Sequence, residues 1–133
     1  MKVIYEDNHI LVVEKPCNVP TQADETGDVD LLSLCKEYIK EKYNKPGNVY
    51  LGLVHRLDRP VGGIVIFAKT SKAASRLSES IRIKDFEKIY LAVVYDKDNK
   101  LPNQLCFEDY MVKNEALNKS MVCSKSKKRS KAC

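Results

Sequence analysis

A cluster of charged residues stands between two apolar runs, and it constrains the fold more than any other part of the chain. The segment 55–59 reads His-Arg-Leu-Asp-Arg, continues through Pro60 and Gly62-Gly63, and enters the apolar run Ile64–Ala68. A second apolar run, residues 51–54, precedes it. Apolar runs bounded by Gly and Pro are typical of buried strands. The pattern therefore predicts a rigid, exposed turn between two strands, which is a position suited to reactive side chains.

The length and composition of the chain are those of one globular domain with a real core. The chain has 133 residues, of which 44% are hydrophobic and 31% are charged, as is usual for soluble proteins. No apolar stretch approaches the roughly 20 residues of a membrane span, and the N-terminus turns acidic at Glu6 and Asp7 without an apolar signal segment. We therefore expect a cytoplasmic protein without a membrane partner.

The cysteines do not form a metal-binding pattern. There are five of them, none spaced as CxxC, and the chain contains only two histidines. This spacing argues against a zinc site, so no metal is predicted. Cys35 and Cys106 stand among apolar residues, and we expect both to be small core fillers.

Positive charge is concentrated in two parts of the chain. The formal net charge is +5, residues 55–90 hold eight bases and four acids, and residues 119–131 hold six bases and no acid. This distribution suits a phosphate-rich partner. Solvated lysines on surface helices, together with a disordered tail, would give the same pattern.

The hydrophobic pattern predicts an α+β fold. It indicates a hairpin from strands 3–5 and 10–13, helices from Asp28 or Asp30 to about Tyr43 and from Thr70 or Ser71 to about Arg82, and further strands Phe86–Tyr95 and Gln104–Val112. Because several links are too short for parallel crossovers, we expect a mixed, mostly antiparallel sheet with packed helices. Residues 1–118 form the predicted folded portion, and 119–133 a basic tail expected to be disordered.

Asp58 is the first candidate for chemistry. A carboxylate beside Arg56 and Arg59 is kept ionised by these cations, as a nucleophile or an electrostatic stabiliser requires. A turn-forming Asp whose side chain binds nearby backbone amides, with the arginines as surface partners, explains the same residues. The local sequence leaves both interpretations open.

Three segments in order resemble the RluA family of pseudouridine synthases. His55–Asp58 followed by Gly62–Thr70 resembles the catalytic motif of that family. Tyr5–Pro16 with Pro20–Gln22 resembles its opening hairpin and loop, and Lys88–Val94 resembles its tyrosine-bearing strand. The resemblance implies a pseudouridine-synthase-like fold and isomerisation of uridine to pseudouridine in ribosomal or transfer RNA, without cofactor or metal. The target nucleotide would be flipped out of its stack.

The resemblance also implies a role for individual residues. Asp58 would be the catalytic carboxylate, Arg56 would fill the space left by the flipped base, and Tyr90 would stack on the target uracil and help to remove the proton from carbon 5. The predicted RNA-binding residues are Arg56, Arg59, His55 and Lys88. His55 is expected to support the turn rather than to act as a base.

Two departures from the family pattern lead to further expectations. Val61-Gly62-Gly63 stands where the family often has a hydroxyl residue before the glycine of the turn, and the family's later Gly-Arg-Thr-His-Gln-Ile-Arg-like segment has no counterpart after Val112. We therefore expect a truncated catalytic domain with an incomplete sheet, whose exposed edge favours self-association. Two alternatives are a catalytically incomplete RNA-binding fragment that needs missing strands or a partner chain, and a non-catalytic RNA-binding module.

Overall fold

The structure, a computed structural model, describes residues 1–97, 102, 104, 106, 108–117, 119–124 and the backbone of 131–132. The chain divides into two compact units, Met1–Ile89 and Tyr90–Cys133. The first unit contains the charged turn, and each unit is described by itself. The predicted division of the chain at residue 118 stays a prediction.

A four-stranded antiparallel sheet forms the centre of the first unit. Its strands are β1 (Lys2–Glu6), β2 (Ile10–Lys15), β3 (Gly52–Leu53) and β4 (Gly63–Ala68), in the spatial order β1-β2-β4-β3. In the central pair, Leu11 lies opposite Phe67 and Lys15 lies opposite Gly63. The predicted hairpin and the two strands that flank the charged turn are therefore confirmed.

Both predicted helices of the first unit are confirmed, with their caps. Helix α1 (Leu31–Lys42) begins after Asp30, whose carboxylate accepts a hydrogen bond of 3.0 Å from the Ser33 amide. Helix α2 (Ser71–Arg82) begins after Thr70, whose hydroxyl accepts from the Ala73 amide at 3.1 Å. Such caps satisfy amides that have no partner within the helix.

The core of the first unit lies between α1 and the sheet. The buried apolar side chains that form it are Leu11, Val13, Leu31, Cys35, Ile39, Leu51, Val65 and Phe67. In helix α2 Ala73 is the one buried residue. Cys35 is thus a core filler as predicted, whereas Cys106 is exposed, so that expectation was wrong: an apolar sequence neighbourhood does not by itself bury a residue.

The second unit contains a small antiparallel sheet. Strand β5 (Tyr110–Asn114) pairs with β6 (Lys119–Cys123) and with β7 (Lys131–Ala132). The predicted strand Gln104–Val112 was therefore placed too early: the described residues 104, 106, 108 and 109 are not in a strand, and residues 103, 105 and 107 lie outside the described residues. Lys119–Cys123 lies within the predicted disordered tail, and disorder was the wrong expectation there, because backbone pairing with β5 orders it. Residues 125–130 lie outside the described residues.

The predicted strand Phe86–Tyr95 is not formed. These residues have no regular secondary structure, and Leu91, Val93 and Tyr95 are almost fully exposed. A strand needs a neighbour to accept its backbone hydrogen bonds, and no described strand pairs with this segment. The alternation of side chains between two faces indicated a strand, but such a pattern does not show whether a neighbouring strand is present to pair with it.

The fold class is confirmed as α+β, and every strand pairing among the described residues is antiparallel. Neither described helix has the length and apolar character needed to cross a bilayer. The predicted self-association through a sheet edge stays a prediction.

Candidate active site

The turn between β3 and β4 presents Asp58 to solvent. The Val61 amide donates a hydrogen bond of 3.0 Å to the Asp58 carbonyl, which closes a four-residue turn. Asp58 is exposed, and its carboxylate makes no hydrogen bond or salt bridge with any described residue. The backbone of Asp58 therefore forms the turn and its side chain does not, which contradicts the interpretation of a purely turn-forming aspartate.

The loop after β2 holds the turn on both sides of Asp58. On one side, the Thr21 hydroxyl donates to the Leu57 carbonyl at 2.7 Å and accepts from the Leu57 amide at 3.3 Å. On the other side, the Arg59 carbonyl accepts from the Asn18 amide at 2.8 Å and from the Lys15 ammonium at 3.1 Å. Both neighbours of Asp58 are thus fixed by direct hydrogen bonds.

Lys15 is a buried cation at the end of β2. It is 1% exposed, and its Nζ also donates to the carbonyls of Pro16 at 3.1 Å and Val19 at 2.6 Å. Burial lowers the pKa of the Lys15 ammonium, and attraction to Cys17 and Asp58 partly offsets that effect. Three neutral acceptors leave the positive charge uncancelled, so Lys15 acts electrostatically on Asp58 from beneath the turn.

Sequence reasoning missed both Lys15 and Thr21 as parts of the site. For Lys15 a signal existed, because it follows Leu11 and Val13 on the inward face of β2, and both of those are fully buried. A lysine at an inward position indicates a buried partner. For Thr21 no local signal existed, since its contact lies 36 residues away in sequence.

Two glycines allow the turn to approach this loop closely. A Cβ atom at Gly62 would come within 3.0 Å of Cys17 Sγ and 3.4 Å of the Lys15 carbonyl oxygen. Gly63 has a φ of +143°, which disfavours any residue with a side chain. Glycine at position 62, where the family often has a hydroxyl residue, therefore lets the turn pack closely against Cys17.

The two arginines of the turn differ in their surroundings. Arg56 is exposed, and its guanidinium has no hydrogen-bond or ion-pair partner among the described residues. The Arg59 guanidinium binds Asp28, lies 3.5 Å from the Asp24 carboxylate and donates to the Thr26 hydroxyl at 2.9 Å. The Arg59 guanidinium is thus paired with two carboxylates of the loop 24–28, while its effect on Asp58 by charge stays a prediction.

His55 supports the turn from the sheet side. Its Nε2 accepts a hydrogen bond of 3.0 Å from the Ile66 amide, and its ring lies 6.0 Å from the Phe86 ring. Burial first, and then repulsion from the Lys88 ammonium, lower the pKa of His55. A neutral imidazole is the form that accepts this bond. The geometry agrees with the predicted supporting role, while RNA contacts of His55 and Lys88 stay predictions.

Tyr90 is the first residue of the second unit. It is exposed and lies in the irregular segment that replaces the predicted strand. Its pairing with Asp58 stays a prediction. Among the described residues, no group of three or more His, Cys, Asp or Glu side chains is arranged to hold a metal ion.

Comparison with known proteins decides the family. Residues 9–132 match the family described as RNA pseudouridylate synthase. The chain belongs to this family. The match spans most of the chain, including the turn with Asp58 and the loop that holds it. It confirms the resemblance drawn from the His55–Thr70 segment.

Several curated relatives of this chain are named for the large ribosomal subunit. It is 32% identical over 94 residues to ribosomal large subunit pseudouridine synthase C of Buchnera aphidicola, covering 71% of this chain and 28% of that protein. It is 34% identical over 92 residues to the Escherichia coli protein of the same name, covering 69% and 27%. An uncharacterised RNA pseudouridine synthase of Mycoplasma genitalium is 36% identical over 111 residues, covering 80% and 34%. The chain thus spans about a third or less of the length of these relatives.

A solved structure supports the fold. Human RNA Pseudouridylate Synthase Domain Containing 4 superposes with a TM-score of 0.66 at 15% identity, over 98% of this chain and 50% of that one. At this identity the likeness concerns the fold alone. It confirms the predicted pseudouridine-synthase-like architecture.

Proposed function

We propose that this chain carries the catalytic turn of an RNA pseudouridine synthase, with Asp58 as its catalytic carboxylate. The observation that carries the proposal is an exposed Asp58 side chain, unpaired among the described residues, on a backbone held on both sides by Thr21 and Lys15. A reactive group must be accessible and yet held in one geometry. The substrate class is uridine in ribosomal or transfer RNA, and the names of the relatives favour ribosomal RNA.

The reaction requires one bond to break and another to form. The bond between uracil N1 and ribose C1′ is cleaved, the detached base turns, and a bond between carbon 5 and C1′ replaces it. The hydrogen at carbon 5 leaves as a proton, and uracil N1, which has lost its bond to the ribose, takes up a proton. Substrate and product are therefore isomers, and the exchange needs no oxidant. The carboxylate of Asp58 acts at the reacting nucleotide, on the ribose or on the base.

The remaining predicted site residues serve RNA binding in this proposal. A uridine in a helix must leave its stack to react. The guanidinium of Arg56, which has no partner in the part of the chain that the structure describes, fills the gap and contacts the RNA backbone. Tyr90 stacks on the uracil and assists removal of the proton from carbon 5. The exposed Lys88 contributes positive charge near His55. Arg59 holds the loop 24–28 through its contacts with Asp24 and Asp28, and it contacts RNA from that position.

Release of tritium from uridine labelled at carbon 5 tests the proposal. The substrate is a transcript of bacterial large-subunit ribosomal RNA, and the variants are Asp58→Asn, Asp58→Ala and the control Glu37→Gln on the exposed face of α1. Loss of the carboxylate should slow release at least about a hundredfold, the lower end for a group of this kind. The control should match the parent chain. Equal release by the parent and Asp58→Asn would refute the role of Asp58.

A further inference from the structure

The Thr21 side chain makes an unusual pair of contacts with the residue that precedes Asp58. Its hydroxyl donates to the carbonyl oxygen of Leu57 at 2.7 Å and accepts from the amide nitrogen of the same residue at 3.3 Å. Thr21 is only 4% exposed, so water does not compete for these bonds. One side chain therefore satisfies both backbone polar groups of Leu57.

Thr21 is itself fixed to the core of the first unit. Its carbonyl accepts from the Leu32 amide at 3.2 Å, and the carbonyl of Pro20 accepts from the Leu31 amide at 2.9 Å. Both donors belong to the first turn of α1, and Leu31 is completely buried. A continuous set of contacts therefore runs from the core through α1 and Thr21 to the backbone beside Asp58.

The two sides of Asp58 depend on different residues. The Arg59 side is held by Lys15 and Asn18, and the Leu57 side is held by Thr21. If the Thr21 hydroxyl were absent, the peptide between Leu57 and Asp58 would lose this restraint, while the peptide after Asp58 would keep the hydrogen bond from the Val61 amide to the Asp58 carbonyl. The direction of the carboxylate would then be less well defined. Displacements of about 1 Å in a reacting group can cost about a hundredfold in rate.

We propose that Thr21 is a positioning residue that sets the direction of the Asp58 carboxylate through the Leu57 peptide. This inference rests on the proposed function of Asp58. Thr21 touches no reacting atom in this account. It needs a hydroxyl, because only a group that both donates and accepts can bind the carbonyl and the amide together.

Two substitutions separate the hydroxyl from the shape of the side chain. Thr21→Val keeps the volume and removes both hydrogen bonds, whereas Thr21→Ser keeps the hydroxyl. Thr70→Val is the matched control. It makes the same change at the N-cap of α2, where the hydroxyl also accepts from a backbone amide, and it weakens the first unit without touching the turn.

The kinetic readout is tritium release from the ribosomal RNA transcript at saturating and limiting RNA concentrations. Thr21→Val should lower kcat about tenfold or more and leave the KM for RNA within about twofold, and Thr21→Ser should restore most of kcat. Thr70→Val should keep the kcat of the parent chain at a temperature where all variants are folded by circular dichroism. Equal losses in Thr21→Val and Thr70→Val, or a change in KM alone, would overturn the proposal.

Hydrogen exchange of the Leu57 amide gives a second readout that does not need activity. In Thr21→Val this amide should exchange at least about tenfold faster, while the amides of the β2–β4 ladder keep their protection. If the parent chain releases no label, the proposed function fails, and exchange alone then decides whether Thr21 holds the turn. Unchanged exchange of the Leu57 amide in Thr21→Val would overturn the inference in either case. An equal increase in exchange at Leu57 and at the amides of the β2–β4 ladder would overturn it as well, because the substitution would then loosen the whole unit.

Discussion

Lys15 is a charged residue at a position where the strand pattern calls for an apolar one. Leu11 and Val13 precede it on the buried face of β2, and Lys15 is as buried as they are. Its ammonium binds the carbonyls of Pro16, Val19 and Arg59. A buried charge is costly unless its hydrogen bonds are satisfied, and here the satisfied bonds join the end of β2 to the turn that carries Asp58.

Replacing Lys15 by Met should destabilise the protein through these carbonyls. The apolar stem would stay packed, but three carbonyl oxygens would lose a donor, which should lower the free energy of unfolding by about 2–4 kcal/mol. Urea denaturation measures the change. Lys2→Met is the control, because the exposed ammonium of Lys2 lies 3.7 Å from the Glu14 carboxylate in a solvent-screened pair. This change should alter stability by less than about 1 kcal/mol. Equal effects of the two substitutions would contradict the account.

At the same scale, the sequence predicted which charged residues lie on the turn but not which of them form ion pairs. Asp58 and Arg56 are exposed on the turn as expected, whereas Arg59 turns to Asp24 and Asp28. The choice depends on where the loop 24–28 comes to lie, and that is a tertiary property. Periodicity of β2 could have identified Lys15, but no local pattern identifies Thr21.

At the scale of elements, the turn that carries Asp58 and the loop after β2 pack together at Gly62 and Cys17. A Cβ atom at Gly62 would meet Cys17 Sγ at 3.0 Å, which is tighter than ordinary contact. Gly62→Ala should therefore be destabilising by about 1 kcal/mol in the parent chain. With Cys17→Ala present, the same change should be neutral or stabilising by up to about 1 kcal/mol, because alanine restricts the unfolded chain.

A double-mutant cycle measures this coupling. The free energies of unfolding of the parent, Gly62→Ala, Cys17→Ala and the double variant are compared in urea. Additive effects of the two substitutions would show that the loop and the turn do not pack against each other at this point.

Glu6 joins β1 to α1 and to the segment after β4. Its carboxylate accepts hydrogen bonds from Tyr38, Lys42, Tyr43 and Lys69, at 2.7–2.9 Å. Burial raises the pKa of Glu6, but the bonds from Lys42, Lys69, Tyr43 and Tyr38 together outweigh burial and lower it to about 2 from 4.5. The network therefore stabilises the ionised form.

The lowered pKa of Glu6 predicts a loss of stability in acid. A depressed folded-state pKa contributes stability that is complete above the unfolded value of 4.5 and is lost as the pH falls towards about 2. The contribution at neutral pH should be roughly 3 kcal/mol, measured by urea denaturation as a function of pH. Glu6→Gln should flatten the pH dependence in this window, while Glu14→Gln at an exposed site should not. An unchanged slope in Glu6→Gln would refute the assignment.

Elements with complete local signals were predicted well. The caps Asp30 and Thr70, the hairpin and the strand Gly63–Ala68 each follow from residues within a few positions. The segment Phe86–Tyr95 has the alternation of a strand but no described partner, and β6 forms in a segment that composition alone indicated as disordered. A strand forms only when a second strand pairs with it, and the sequence of one segment does not show whether such a partner exists.

At the scale of the whole molecule, family membership and the geometry of the turn both direct attention to Asp58. The match over residues 9–132 places the chain among RNA pseudouridylate synthases, and the first unit holds Asp58 exposed on a restrained turn. The sequence alone carried the resemblance and the candidate carboxylate. It could not predict how Lys15 and Thr21 restrain that carboxylate, since these contacts span 44 and 36 residues.

The central claim is that Asp58 of this chain catalyses formation of pseudouridine in RNA. Chromatography of nucleosides tests it most directly, because it separates pseudouridine from uridine and so identifies the product itself. Large-subunit ribosomal RNA transcripts are incubated with the parent chain or with Asp58→Asn, digested and analysed. We predict new pseudouridine that increases with the amount of the parent chain and stays at background with Asp58→Asn. No pseudouridine from a folded, RNA-binding parent chain, or equal amounts from both proteins, would contradict the claim.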